Sequence, residues 1–139
     1  MCLIINKHAA AQTLTEDLYC YKFVYKGVTV KRPWYLFFLK PTVIYKSEFR
    51  YFKYIKGKKY SNEIFVEHHC APHGKARISL GFHSFQTPPE DDYVQIQKDF
   101  GVVLVRCIIP KGSLVYYGKI NDSGVSGIVS NQIIIEKEI

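Results

Sequence analysis

The sequence predicts an α+β fold in which one β-rich domain, residues 1–139, is built on a curved or split sheet and carries two short helices. Of the 139 residues 47% are hydrophobic, which is enough for one core without disulfide or metal support. Short apolar and aromatic runs alternate with polar residues and are separated by Gly and Pro. Many strands with few helices favour this class over a doubly wound nucleotide fold.

In the first half of the chain, alternation of apolar and polar residues indicates strands, a run of alanines favours a helix, and prolines interrupt regular structure. The predicted elements are a strand at residues 2–6, a helix from Ala9 to Leu18, a strand from Leu18 to Lys26 that ends at Gly27, and a short strand or irregular segment from Trp34 to Leu39 between Pro33 and Pro41.

In the second half, Thr87-Pro88-Pro89-Glu90 has the pattern of a capping box, with Thr as the N-cap and Pro at the first helical position. This helix should run to about Phe100 and stop at Gly101. The other predicted elements are strands at Phe49–Ile55 and around Tyr60 with a turn at Lys56-Gly57-Lys58, strands at Ile64–His68, Ile78–Phe85, Val102–Ile109, Leu114–Tyr117 and Ile128–Glu136, a turn at Pro110–Ser113, and a polar loop at Asn121–Gly127.

Positive charge is concentrated between Lys22 and Tyr60, where eleven Lys or Arg residues and twelve aromatics accompany a single acid, Glu48. That segment has a net charge of +10 within a chain of net charge +7, so the remainder is −3. Such a surface attracts phosphates, and aromatic faces can stack on bases. A nucleotide or nucleic acid is therefore the expected anionic partner. The same pattern also describes strands with one buried face and one solvated face.

Other sequence features limit the class of protein. No apolar run approaches the ~18 residues of a membrane span and no signal peptide is recognisable, so we expect a cytoplasmic protein without a membrane partner. The cysteines are widely spaced, and Cys20 and Cys107 are expected to be reduced, buried residues. Neither a dinucleotide-binding nor a P-loop glycine motif occurs, and no cofactor is expected. An exposed tyrosine-rich edge would allow a homo-oligomer.

Two local patterns could carry chemistry of their own. His68, His69, Cys70 and His73 lie within six residues, but they lack the spacing of structural zinc sites. Solvated imidazoles in a loop are the expected role, and no metal is predicted. Cys2 would resemble an N-terminal nucleophile if Met1 were removed, although a buried strand residue is the simpler interpretation.

Gly81-Phe82-His83-Ser84-Phe85 places a histidine and a serine between aromatic residues. A neutral imidazole there could bind a ribose hydroxyl or act as acid or base near pH 7. A core histidine bonded to the backbone is the alternative.

Five parts of the sequence together carry a resemblance: Asp17–Lys22, Tyr54–Tyr60, Gly81–Phe85, Ile109–Ser113 with Tyr116-Tyr117-Gly118, and Val129–Ile133. In these segments the chain resembles a group of uncharacterised small proteins of gut bacteria and their phages. The order of the segments is also similar to that of ADP-ribosyltransferase-like folds. This second resemblance implies that Lys22 stands where those enzymes bind NAD, Ser84 where a middle-strand serine lies, and Gln132 where the catalytic glutamate is needed.

A neutral Gln132 cannot supply negative charge to an oxocarbenium-like centre, so the resemblance implies nucleotide binding without efficient transfer. Glu136 is on the same strand face and could be a displaced carboxylate. The predicted function is therefore binding of a nucleotide or nucleotide-derived ligand, in a phage context as sequestration of a defence signal in the host cytoplasm. The alternatives are a phage structural or protein-interaction component and a degenerate NAD-dependent ADP-ribosyltransferase. The predicted ligand residues are Tyr21, Lys22, Tyr54, His83, Ser84 and Gln132, with Lys53, Lys56, Lys58 and Lys59 attracting the anion.

Overall fold

In a computed structural model, residues 3–29, 42–47, 52–68, 74–120 and 124–139 are described, and they form thirteen β-strands and one α-helix. The strands are β1 (Leu3–Asn6), β2 (Gln12–Thr13), β3 (Leu18–Thr29), β4 (Thr42–Ser47), β5 (Lys53–Ile55), β6 (Lys59–Ser61), β7 (Phe65–Glu67), β8 (Lys75–Leu80), β9 (Phe82–Phe85), β10 (Val102–Ile109), β11 (Leu114–Ile120), β12 (Val125–Ser130) and β13 (Gln132–Glu138); the helix is α1 (Asp91–Asp99).

All strands belong to one antiparallel sheet with the order β6-β13-β10-β3-β9-β12-β11-β1-β8-β7. Laid flat, ten strands would place β6 and β7 roughly 43 Å apart. Residues 62–64 join these two strands directly, and a chain of that length spans at most about 15 Å. The sheet must therefore curl, and it forms a half-barrel.

The sheet splits at β3, which is longer than its neighbours. One edge of β3 pairs with β10 from Leu18 to Tyr25. The other edge pairs with β9 at Tyr21 and then with β4 from Val24 onward. β5 continues this branch beside β4, and β2 pairs with β11. The predicted curved or split sheet is thus confirmed.

Alternation along β3 separates two environments. Cys20, Lys22 and Val24 point into the half-barrel and are buried. They join a core that includes Tyr45, Tyr54, Phe82, Val105, Cys107, Ile109, Ile128, Ile133 and Ile135. The opposite face carries Phe23, which contacts Tyr93 of α1 and Phe85 of β9 edge-on at 5.5 and 5.8 Å between ring centroids. Helix α1 therefore covers the middle of the outer face.

A second core packs β1, β8, β11 and β12 together around Leu3, Ile5, Ala76, Ile78, Ile120 and Val129. Gly118 and Gly127 are paired directly across β11 and β12. A side chain at Gly118 would overlap the backbone oxygen of Ile4, and one at Gly127 would overlap Ile120. Glycine is required at this pair because the backbones and core side chains approach too closely for a Cβ atom.

The prediction of a helix from Ala9 to Leu18 is wrong. Gln12–Thr13 is a strand, and two backbone hydrogen bonds tie Leu14 to Gly112 and Ser113. The Lys111 amide donates to the Asp17 carboxylate at 2.8 Å. These long-range bonds to the 110–113 turn override the weak local helix propensity of the alanines.

Boundaries elsewhere also differ from expectation. The helix begins after Glu90, not at Thr87, and Glu90 makes no side-chain cap bond. Gly81, with φ of 126°, divides the predicted strand Ile78–Phe85 into β8 and β9. Gly27 lies within β3, opposite Ile44, and does not end the strand. In contrast, β10 has the predicted bounds, Val102–Ile109.

The predicted segment Trp34–Leu39 and residues 48–51 lie outside the described residues. Among the described residues, no helix has the length and apolar character needed to cross a bilayer.

Candidate functional site

The lysines of β4, β5, the following turn and β6 are all exposed on the outside of the sheet. Lys46 of β4 lies directly opposite Lys53 of β5. The neighbouring pair, Tyr45 and Tyr54, points the other way and is buried in the core. Because side chains alternate along a strand, burial of the two tyrosines forces both lysines outward. We call Lys46, Lys53, Lys56, Lys58 and Lys59 the lysine surface.

A turn that is fixed by backbone hydrogen bonds connects β5 to β6. Lys56 and Lys58 lie in this turn, and Lys59 begins β6. Gly57 adopts a φ of 81°, which a glycine accepts without strain. The Gly57 amide donates to the Ile135 carbonyl at 2.9 Å, and the Lys58 amide donates to the Ile55 carbonyl at 3.2 Å. The Lys58 ammonium lies 5.4 Å from the centroid of the Tyr60 ring. The strands pair with β4 and β13 respectively, so the predicted turn is present but does not form a two-stranded hairpin.

Most nearby carboxylates have other partners. Glu136 binds the guanidinium of Arg106 through two hydrogen bonds, one of them 2.9 Å long. This bond lowers the pKa of Glu136, and Lys137 and Lys56 lower it further through their charge. Glu138 pairs with Lys26 at 2.9 Å and accepts the hydroxyl of Tyr45 at 3.1 Å. Together with burial, that contact raises the pKa of Tyr45 to about 12.

Within the described part of the chain, Lys46, Lys53, Lys58 and Lys59 therefore make no ion pair. Like charges directly opposite one another in a sheet are unfavourable. The Lys46–Lys53 pair is such a case. An external anion would remove this repulsion.

An exposed aromatic side chain adjoins the lysine pair. Tyr25 of β3 is directly opposite Lys46 on the edge away from Lys53 and is 40% exposed. Tyr25, Lys46 and Lys53 thus form a row across three strands on one outer face, which we call the tyrosine–lysine row. Ile55, 41% exposed, lies two residues along β5 on the same face. The row combines a ring face with two cations. Tyr25 and Lys46 were not among the predicted site residues, because the pairing that joins them is not local in sequence.

The predicted ligand residues do not converge on one solvent-reachable spot. Lys22, Tyr54 and Ser84 share the inner core, where each is at most 8% exposed. Tyr21 lies on the outer face of β3, and Gln132 lies opposite Ser61 on the face of β13 that points away from the core. Lys53, Lys56, Lys58 and Lys59, by contrast, are all exposed.

The imidazole of His83 is buried on the other side of β9 from Ser84. Its Nδ1 lies 3.1 Å from the Gly81 carbonyl oxygen and its Nε2 lies 3.0 Å from the Ile78 carbonyl oxygen. Burial lowers the pKa of His83, and the Lys22 charge adds to this effect, whereas the two carbonyls oppose it. A neutral imidazole has a single N–H, so only one of the two carbonyls receives a hydrogen bond. The arrangement matches the core-histidine alternative.

Four polar side chains meet inside the half-barrel: Cys20, Lys22, Ser84 and Cys107, the thiol cluster. Cys20 and Cys107 are directly opposite each other on β3 and β10, and both are fully buried thiols. The Lys22 ammonium donates to the His83 carbonyl at 2.7 Å. The Ser84 hydroxyl is buried without a partner in hydrogen-bonding geometry in the described structure.

The two thiols of this cluster differ in acidity. A hydrogen bond from Cys107 lowers the pKa of Cys20 against the effect of burial, and Ser84 and Lys22 contribute in the same direction. The same bond, together with burial, raises the pKa of Cys107 well above its ordinary value. The shared hydrogen bond thus favours the thiolate at Cys20 over that at Cys107. The sequence indicated two buried cysteines but not their contact.

Of the predicted histidine–cysteine group, His68 is exposed, while His69, Cys70 and His73 lie outside the described residues. No group of three potential metal ligands occurs in the portion of the chain that the structure describes.

In comparisons with known proteins, no family model, no curated protein and no solved structure matches this chain.

Proposed function

We propose that the protein binds single-stranded nucleic acid through the lysine surface, with Tyr25 stacking on a base. The observation that carries this proposal is the tyrosine–lysine row, in which an exposed ring and two lysines, neither of them in an ion pair with another described residue, share one face of three adjacent strands. Proteins that bind single strands combine cations that follow the phosphates with aromatic faces that stack on bases.

The distribution of charge favours a strand over a mononucleotide. The five lysines occupy two strands, a turn and a third strand, and all of them project outward. A small ligand is normally enclosed on most of its surface, whereas this surface faces solvent. The side chains predicted to form a pocket, Lys22, Tyr54 and Ser84, are engaged inside the core. The phosphates of a strand can contact several of these lysines at once, whereas a single nucleotide is too small to do so.

Binding on this surface requires no catalytic group. A cyclic oligonucleotide signal shares the phosphate and base chemistry of a single strand. Sequestration of a host defence signal by a phage-encoded protein stays a prediction from the sequence, which cyclic oligonucleotides test as competitors in the experiment below. NAD turnover would instead support the transferase alternative.

The experiment is fluorescence anisotropy with labelled oligothymidine and oligouridine over a series of salt concentrations. Each neutralised phosphate of a single strand contributes about −0.7 to the slope of log K against log salt, so the five lysines predict a slope of about −3.5. The double variant Lys46→Ala/Lys53→Ala should weaken binding and reduce the magnitude of the slope by about 1.4. Unlabelled mononucleotides, cyclic oligonucleotides and NAD are added as competitors.

The matched control is Lys75→Ala/Lys111→Ala, which removes the same charge from two exposed lysines outside the row. An equal loss of affinity in both double variants would show that only net charge matters and would overturn the assignment of the site. Absence of oligonucleotide binding at low salt would overturn the function itself. Release of nicotinamide from NAD would move the assignment to the enzyme class.

A further inference from the structure

We propose that Cys20 and Cys107 form a peroxide-reactive dithiol that closes to an intramolecular disulfide across β3 and β10. This inference concerns the inside of the half-barrel and is independent of nucleic acid binding. It assigns a modification site to the thiol cluster. The chemical class of its substrate is a small hydroperoxide, for which hydrogen peroxide is the probe.

Backbone geometry permits the bond without rearrangement of the strands. Cys20 and Cys107 are direct partners in an antiparallel ladder. Directly opposed residues in such a ladder have Cα atoms about 4.5 or 5.5 Å apart. Disulfides span Cα separations of about 4.4 to 6.8 Å. Both side chains point to the same side of the sheet, and the two thiols already contact each other.

The neighbouring side chains favour a thiolate in this cluster. Lys22 lies two residues from Cys20 on the same face of β3, and its positive charge lowers the pKa of both Cys20 and Cys107. The hydrogen bond from Cys107 is what favours the thiolate at Cys20 over that at Cys107. Ser84 has a hydroxyl without a geometrically satisfied hydrogen bond beside the Cys20 sulfur, and it is 1% exposed. The interaction of this hydroxyl with the Cys20 sulfur lowers the pKa of that thiol. When a peroxide oxygen lies beside the sulfur, the same hydroxyl can donate to it.

The reaction proceeds in two balanced steps. The Cys20 thiolate attacks one peroxide oxygen, the O–O bond breaks, and the departing hydroxide takes the proton of the Cys107 thiol and leaves as water. Cys107, now a thiolate, attacks the sulfur of the Cys20 sulfenic acid. The S–S bond forms, the S–O bond breaks, and hydroxide leaves and becomes water by taking up the proton that Cys20 released at the outset. Overall, two thiols and one hydrogen peroxide give one disulfide and two waters.

Burial makes the site selective for the size of the oxidant. Both cysteines are 0% exposed, so a molecule close to water in size can reach them through small fluctuations of the core. Oxidised glutathione requires direct attack on a large disulfide and cannot enter. The native protein should therefore react with hydrogen peroxide and not with oxidised glutathione, whereas the urea-unfolded chain should react with both.

The test uses the full chain with Cys2→Ser and Cys70→Ser, which leaves only the proposed pair. After treatment with hydrogen peroxide and alkylation, intact mass spectrometry should show a species lighter by two hydrogen atoms. A non-reduced digest should join the peptides that contain Cys20 and Cys107, and dithiothreitol should restore both thiols. Sulfinic acid on either cysteine without a disulfide, an intermolecular disulfide, or no reaction of the folded protein would overturn the proposal.

Single variants separate the two roles. In Cys107→Ser, Cys20 should accumulate as a sulfenic acid that dimedone captures when the oxidised protein is unfolded in urea with dimedone present, whereas Cys20→Ser should give no adduct. Ser84→Ala should slow disulfide formation several-fold, and the matched control Ser130→Ala, another fully buried serine, should not. If a serine substitution prevents folding, peptide mapping of the unsubstituted chain answers the same question. Equal dimedone labelling of both single variants would show that neither sulfur is preferred and would overturn the assignment of roles.

Discussion

Substitutions at two tyrosines separate the core from the binding surface. Tyr54 is 2% exposed, and its ring lies 4.9 Å from that of Phe52 and 5.4 Å from that of Tyr60. Truncation of a buried aromatic residue to Ala costs about 3–5 kcal/mol. Part of that cost is the loss of ring pairs, worth about 0.5–1.5 kcal/mol each. Because a domain of this size is stable by roughly 5–15 kcal/mol, Tyr54→Ala should be severely destabilised.

The isosteric change Tyr54→Phe keeps the ring and removes only the hydroxyl. It should cost no more than about 1.5 kcal/mol, the net value of one hydrogen bond, and leave oligonucleotide affinity unchanged.

Tyr25 should show the opposite behaviour, a small effect on stability and a large effect on binding, since it is 40% exposed on the tyrosine–lysine row. Tyr25→Ala should cost no more than about 1 kcal/mol of stability, the range of strand propensity. It should weaken binding by about 1–3 kcal/mol, the value of one stacked base.

Urea denaturation followed by circular dichroism gives the free energy of unfolding, and fluorescence anisotropy gives the affinity. Two results would refute this reasoning. If folded Tyr54→Phe lost oligonucleotide binding, Tyr54 would be a ligand residue as the sequence predicted. If Tyr25→Ala bound as tightly as the unsubstituted protein, the row would not be the site.

Three further predictions concern stability. Gly118→Ala should cost about 1–3 kcal/mol because its methyl group overlaps the Ile4 backbone. Urea denaturation measures this against Gly27→Ala, a strand glycine whose added methyl group makes only an ordinary contact with the Ile44 carbonyl oxygen. The pKa of His83 in the folded protein is below its ordinary 6.5, so the unfolded chain binds a proton at a higher pH than the folded protein does. The free energy of unfolding should therefore fall as the pH drops from about 6.5 to the folded pKa. His83→Gln should flatten this pH dependence, measured by urea denaturation at each pH. Tyr45→Phe should lose about 1–2 kcal/mol with its bond to Glu138 and should remove one late-titrating phenol from the absorbance titration near pH 12.

Local sequence patterns predicted the parts of this fold that local physics determines. The nearly continuous apolar run Val102–Ile109 defines β10 to the residue. The outward direction of Lys53 follows from its alternation with the apolar ring of Tyr54. Helix α1 was expected in the correct region because few other segments carry both a start signal and a final glycine, although its true N-cap is Glu90.

The features that the sequence analysis missed depend on contacts between segments that are distant in the sequence. The alanines predicted a helix from Ala9 to Leu18, but Gln12–Thr13 is a strand and backbone hydrogen bonds join Leu14 to the 110–113 turn. Lys22 alternates with apolar residues and would be assigned to solvent, yet it lies inside and donates to the His83 carbonyl. The contact of Cys20 with Cys107 depends on the register of β3 and β10, which no local pattern specifies.

Strand β3 contributes residues to both proposed sites, but these residues point to opposite faces of the sheet. Cys20 and Lys22 point into the half-barrel, whereas Tyr25 points outward, because an odd number of positions separates Tyr25 from each of them. A disulfide between directly opposed residues joins strands whose Cα atoms the ladder already holds at a separation that a disulfide spans, so its formation should leave the strand direction unchanged. The tyrosine–lysine row depends on pairing with β4, on the opposite edge of β3 from β10. Oxidation of the thiol cluster and binding at the lysine surface are therefore separable properties of one strand, and failure of either leaves the other standing.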